Sequence, residues 1–132
     1  MDDPAGYVRF YVARLDGPER EGAFHRLLEG GVDALPHLVL AFKEAEEPSV
    51  RAQIVEVIGQ TRVPAATEIL ATALKDRAPV VWKAALDGLV TVGGPMAATV
   101  LDSALASSTS GEYDIPVEWL TEGLAQVRHR SW

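Results

Sequence analysis

Histidines, tryptophans and a row of carboxylates are the side chains of this sequence that could do chemistry. His25, His37 and His129 are the candidate metal ligands. They fall on different predicted helices or in the tail, so no two stand at the i, i+3 or i+4 spacing of a zinc or iron site, and no metal or cofactor is expected. The chain contains no cysteine, which removes thiolate catalysis, disulfides and Cys-based metal sites together. Its hydroxyl run, Ser107-Ser108-Thr109-Ser110-Gly111, could accept phosphate, and is equally well explained as a loop between helices. No catalytic constellation emerges, so the expectation is a protein that is not an enzyme. The remaining chemistry is recognition: carboxylates steer a basic partner, and large aromatics anchor an interface. Glu44, Glu46 and Glu47 could dock such a partner, or Glu47 could serve the helix behind it, because a negative charge just ahead of a helix N-terminus is favourable.

The charge balance points the same way. With 12 Lys and Arg against 19 Asp and Glu, the net charge is −7. Nucleic-acid binding relies on clustered Lys and Arg to neutralise phosphates, so the expected partner is a protein or peptide of basic character. At 132 residues and 48% hydrophobic, the chain is long enough to bury roughly two-thirds of its unfolded surface as one domain. No apolar run approaches the roughly 20 residues needed to span a bilayer, and Met1-Asp2-Asp3-Pro4 is unlike a secretory leader. The expectation is a cytoplasmic protein without membrane contact.

Eight prolines punctuate the elements that must position these residues. Pro4, Pro18, Pro36, Pro48, Pro64, Pro79, Pro95 and Pro116 each stand at or near the start of a stretch with helical apolar spacing, where proline's missing N–H has no partner to lose. Pro48 and Pro79 are 31 residues apart, as are Pro64 and Pro95. At that offset Val50, Ile54, Val55 and Ile58 fall on Val81, Ala85, Leu86 and Leu89, and Glu56 falls on Asp87. The preceding helices agree, with Ile69, Leu70, Ala73 and Leu74 on Val100, Leu101, Ala104 and Leu105. A helix with one apolar stripe needs a neighbour to cover it, so the hairpins must stack.

The spacing predicts an all-α, right-handed α-solenoid of about four helical hairpins, near 4–30, 33–60, 64–92 and 95–128. Helix one runs from Pro4 to Leu15 and helix two from Pro18 to Glu29, stopping at Gly30-Gly31. Asp33 caps helix three, whose stripe is Leu35, Leu38, Val39 and Phe42. The last unit is irregular: aligning Glu122-Gly123-Leu124 with Asp87-Gly88-Leu89 needs an offset of 35. Helix eight opens at Tyr113 or Asp114 and buries Val117, Leu120, Leu124 and Val127.

The run Glu47-Pro48-Ser49-Val50-Arg51, followed by Ile54-Val55 and Ile58, resembles a HEAT repeat of the short bacterial type, most clearly over Leu35 to Leu105. The resemblance implies that second helices line a concave surface and that Arg51 joins inter-repeat contacts. Trp82 replaces that Arg in the next unit and Ala78 stands where an acid is usual, so the polar ladder is expected to stop after one rung. Two enzymatic relatives set the alternatives. The HEAT-like deoxyhypusine hydroxylases hold iron with His-Glu pairs that are absent here. The alkylpurine DNA glycosylases use tryptophans and an aspartate on the concave surface, for which Trp82 and Asp87 are the only foothold. A bilin-lyase role has no identifiable site residue.

On a helical wheel, helix four turns Ser49, Gln53, Glu56 and Gln60 away from its buried face, and helix six turns out Val80, Ala84, Asp87 and Thr91. Trp82 lies between faces, beside Leu86 and Leu89, which favours packing on the neighbouring repeat. Trp119 is either exposed on the binding surface or folded over the open end with Trp132. The expected partner-binding face therefore comprises Gln53, Glu56, Gln60, Trp82, Lys83, Asp87, Glu118, Trp119 and Glu122, with Arg26 as the basic exception at its N-terminal end. Adaptor, regulatory and toxin-neutralising roles all fit such a module. Tyr7, Phe10 and Tyr11 at one end, and Trp119 and Trp132 at the other, suggest weak self-association through uncapped end repeats.

Overall fold

The computed structural model describes residues 3–130. They form eight α-helices: α1 (Pro4–Val12), α2 (Arg20–Glu29), α3 (Gly31–Glu44), α4 (Pro48–Gln60), α5 (Thr67–Leu74), α6 (Pro79–Val92), α7 (Gly94–Ala106) and α8 (Val117–Arg130), with no strand among the described residues. The second helices of successive hairpins make one layer, α2 on α4, α4 on α6 and α6 on α8, while α1 packs on α3 and α5 on α7 in the other. This is the α-solenoid that the 31-residue offset requires.

Proline sets most of the helix starts. Pro4, Pro48 and Pro79 each occupy the first helical residue, and Pro64 opens a short 3-10 turn that runs into α5. Pro36 departs from the expectation: α3 begins at Gly31, with no side-chain cap from Asp33, and Pro36 lies inside it. The proline deprives the Val32 carbonyl of its helical donor. Val32 is exposed, so water can take that carbonyl at little cost. Helix α1 stops at Val12 rather than Leu15, because the chain tightens into i to i+3 bonds, Arg14 N to Tyr11 O at 3.0 Å and Leu15 N to Val12 O at 3.1 Å, and turns Leu15 into the core.

Most of the superposed apolar positions are buried in both copies at the centre of the stack, Val50 being half-buried where its equivalent Val81 is buried. Ile54, Ile58, Ala85 and Leu89 are wholly inaccessible, and so are Leu70, Leu101 and Ala104. Val100 and Leu105, the equivalents of the buried Ile69 and Leu74 nearer the end of the array, are only half-buried. Val117, expected in the core, is exposed. It is the first residue of α8, ahead of the turn that meets α6, and Ile115 in the preceding loop is buried instead.

Two glycines let α4 and α6 cross in close backbone contact. A Cβ built on Gly59 of α4 would lie 2.7 Å from the Cα of Gly88 on α6, and one on Gly88 would lie 2.8 Å from a Leu70 methyl. Each helix thus presents bare backbone where the other crosses it, which no larger residue permits.

The polar ladder has its one rung at Arg51 and none at Trp82 among the described residues, as expected, and other polar ties take over in the connecting loops. Arg51 pairs with Asp76, whose other oxygen accepts from the backbone N–H of Ala78 at 3.0 Å, joining α4 to the start of α6. The next link shifts into the connecting loop: Arg77 binds Asp114 and the Gly111 carbonyl, each at 2.8 Å, and Lys75 binds Glu112 at 2.8 Å. Asp114 therefore holds the loop to α6 and does not open α8. The hydroxyl run closes on itself, Ser110 donating to the Ser107 carbonyl at 2.7 Å.

Candidate functional site

The geometry of α6 against α8 brings together most of the recognition residues. Glu118 and Glu122 stand at i and i+4 on α8, with Trp119 beside them, and Leu86 and Val90 hold the same spacing on α6 beside Asp87. Gly123 makes the approach possible, because a Cβ there would come within 2.9 Å of a Leu86 methyl. The result is a cleft of about 310 Å³ between the two helices, with Leu86, Val90 and Gly123 inside and Asp87, Glu118 and Glu122 around Trp119. Gln126 donates to Glu122 at 3.2 Å, while Asp87 and Glu118 make no ion pair among the described residues.

The tryptophans divide their work. Trp82 is buried, 4% exposed, and Trp119 stands on its edge, 45% exposed, with ring centroids 5.5 Å apart and planes at 88°. Edge-to-face contact of this kind adds about 1 kcal/mol to the burial itself. Lys83 lies over both rings, its Nζ 5.8 Å from Trp82 and 5.5 Å from Trp119. Among the described residues the Trp82 indole N–H has no acceptor. Trp82 is thus the support of the site and Trp119 its accessible face; Trp132 lies outside the described residues.

Towards the N-terminus the acidic row continues through Glu56, whose carboxyl is pushed above its usual range by burial and by Asp87, against an opposing pull from Arg20. Arg20 is therefore the cation at this end. Arg26, expected there, pairs with Glu29 on its own helix at 3.5 Å. Raising a carboxyl in the fold means that its ionisation opposes folding: the associated stability is present below the unfolded-state value and is lost as pH rises through the folded one. Glu56→Gln should consequently raise the melting temperature at pH 7, with the gain shrinking as pH falls through the carboxylate range, as thermal melts by circular dichroism would record.

Gln53 leaves the predicted face. It is 7% exposed and donates to the Leu15 carbonyl at 2.8 Å, a tie to the preceding hairpin. Ala84, its equivalent at the 31-residue offset, is buried too. A second helix in the middle of a stack touches neighbours on both sides, so its buried arc is wider than the single stripe the wheel assumed. Gln60 is exposed at the end of α4, apart from the residues that line the cleft.

Sequence reasoning passed over a larger hollow of about 420 Å³ between α1, α3 and the start of α4. Its signals were Leu40, an apolar residue off the predicted stripe of α3, and the Glu44, Glu46 and Glu47 cluster, which lines one end of it. Among the described residues no three His, Cys, Asp or Glu side chains come together as metal ligands would, and no helix is long and apolar enough to cross a membrane.

Residues 35–115 match the sequence profile of HEAT repeats. The chain belongs to the HEAT-repeat family. Its array is similar over 98% of its length to human deoxyhypusine hydroxylase in complex with glycerol, at 21% identity and a TM-score of 0.71. This HEAT array spans 45% of that chain, and the likeness is one of fold. No curated protein matches the sequence. The cleft between α6 and α8 lies in the layer made by the second helices of the hairpins.

Proposed function

We propose that this HEAT array is a non-catalytic binding module that holds a basic segment of a protein partner in the cleft between α6 and α8. One observation carries the reading: Asp87, Glu118 and Glu122 surround a half-exposed Trp119 that is braced from below by Trp82. Carboxylates at a rim raise the encounter rate with a cation-rich segment, and a rigid aromatic supplies desolvated area once it has docked. Lys83, beside the same rings, disfavours a lysine placed directly on Trp119 and directs it to the carboxylates. The cleft is lined by three carboxylates, an amide and apolar groups, a set suited to holding cations. The tryptophan on which a glycosylase reading relied, Trp82, lies beneath Trp119 rather than at the surface.

The test uses Lys- and Arg-rich peptides selected from a displayed library against the wild-type chain, followed by stopped-flow kinetics. Asp87→Lys with Glu122→Lys should slow association and flatten its salt dependence, because exposed charges act over a screening length of about 8 Å at physiological ionic strength. Trp119→Ala should mainly accelerate dissociation, at a cost of about 2 kcal/mol or more. Affinity unmoved by both changes would remove the cleft from consideration.

A further inference from the structure

The larger hollow lies away from that cleft, and its walls are two helical stripes in matched register. Ala5, Val8, Arg9 and Val12 come from α1, and His37, Leu40, Ala41 and Glu44 come from α3. Each set is an i, i+3, i+4, i+7 series, so each wall is two turns long, about 10 Å. The floor is apolar, since Val8 is buried where α1 packs on α3. Leu40 stands in the opening, 55% exposed, on a helix that already buries Leu35, Leu38 and Phe42 elsewhere.

Charge is distributed unevenly around this opening. Glu44, Glu46 and Glu47 occupy the end where α3 passes into α4, and none of them makes an ion pair among the described residues. Glu47 immediately precedes Pro48 but gives α4 no side-chain hydrogen bond. Arg9, also without an ion pair among the described residues, stands on the α1 wall opposite.

We propose that this groove docks an amphipathic helix of a partner protein, its apolar stripe on Val8, Val12, Leu40 and Ala41 and its basic flank against Glu44, Glu46 and Glu47. A trough with two helical walls accepts a third helix through i, i+3/i+4, i+7 anchors, and two turns of wall match that reach. Arg9 fixes the orientation by pairing with an acidic residue on the other flank. The docked helix therefore carries opposite charges on its two sides, unlike the uniformly basic segment assigned to the cleft between α6 and α8.

A displayed library of helical peptides of about 14 residues, long enough for three to four turns, is panned against the full chain carrying Asp87→Lys and Glu122→Lys, so that the acidic cleft cannot compete. Selected peptides should share a helical apolar stripe with Lys or Arg on one flank. Fluorescence anisotropy with the strongest of them should show a loss of about tenfold or more for Leu40→Asp, of the size expected for an interface anchor. The loss for Glu44, Glu46 and Glu47 together changed to Lys should be smaller and salt-dependent. All four positions are exposed, and circular dichroism checks that each variant keeps its helix. No enrichment, enrichment without the apolar stripe, or binding that neither set of changes weakens would each overturn the proposal. Because two of the cleft's three carboxylates are reversed in the panned chain, failure here leaves the α6–α8 assignment standing on its own test.

Discussion

Ile54→Asp should leave the chain without a cooperative thermal transition at 25 °C or above. Ile54 has no accessible surface and sits on α4, the helix that contacts α2, α3, α5 and α6. The change removes an apolar side chain, worth about 2–5 kcal/mol in a core, and adds a carboxylate with no partner within reach. A domain of this size is stable by only about 5–15 kcal/mol, so the sum consumes most or all of it. Because each hairpin contacts only its neighbours, losing the second one also strips a face from the first and third. Val32→Asp is the matched control: Val32 is exposed in the first turn of α3, where an acid is favourable, and its effect should stay within about 0.5 kcal/mol. Urea unfolding of the two variants, followed by far-UV circular dichroism, separates them. A folded Ile54→Asp protein would mean that α4 is not the centre of the stack.

Gly59→Ala should cost about 2–3 kcal/mol although it adds a single methyl group. The new Cβ meets the backbone of Gly88 at 2.7 Å, and backbone cannot step aside as a side-chain tip can. Either α4 and α6 separate, opening gaps along their whole contact, or both helices bend. Gly22→Ala offers the opposite sign. Gly22 lies inside α2 with nothing within 4 Å of a new Cβ, and replacing a helical glycine by alanine stabilises by about 0.5–1 kcal/mol. Equal effects at the two positions would mean that the close crossing of α4 and α6 does not exist.

What was legible in the sequence is what depends on one helix and its next copy. Pro48 and Pro79 mark helix starts because ring geometry allows little else, and the 31-residue superposition survives because both copies face the same kind of neighbour. What was not legible depends on two neighbours at once. Gln53 looks outward on a wheel drawn for one buried face, yet it turns in because the hairpin before it supplies the Leu15 carbonyl. The Gly59 and Gly88 crossing joins positions that the repeat does not equate. Pro36 could not be placed inside a helix without knowing that Val32, whose carbonyl it leaves without a helical donor, is an exposed residue.

The candidate site divides in the same way. Asp87, Glu118, Trp119 and Glu122 share a cleft because α8 follows α6 through Gly123, and the alignment of Glu122-Gly123-Leu124 with Asp87-Gly88-Leu89 had already paired those acids. The support given by Trp82 depends on which of two intermediate directions its ring takes, and helical periodicity does not choose between them. The substitution of Arg20 for Arg26 at the N-terminal end follows from the short second helix, which starts at Arg20 rather than Pro18.

The central claim is that the face of the second helices binds through Trp119. Titration of isotopically labelled protein with a basic peptide selected on the wild-type chain, followed by NMR, tests it residue by residue. The account predicts that the Trp119 indole N–H and the backbone amides of residues 86–90 and 118–123 shift together and saturate with the same affinity, while Leu40 and Ala41 stay still. Saturable binding that leaves the Trp119 indole and those two segments unmoved would contradict it.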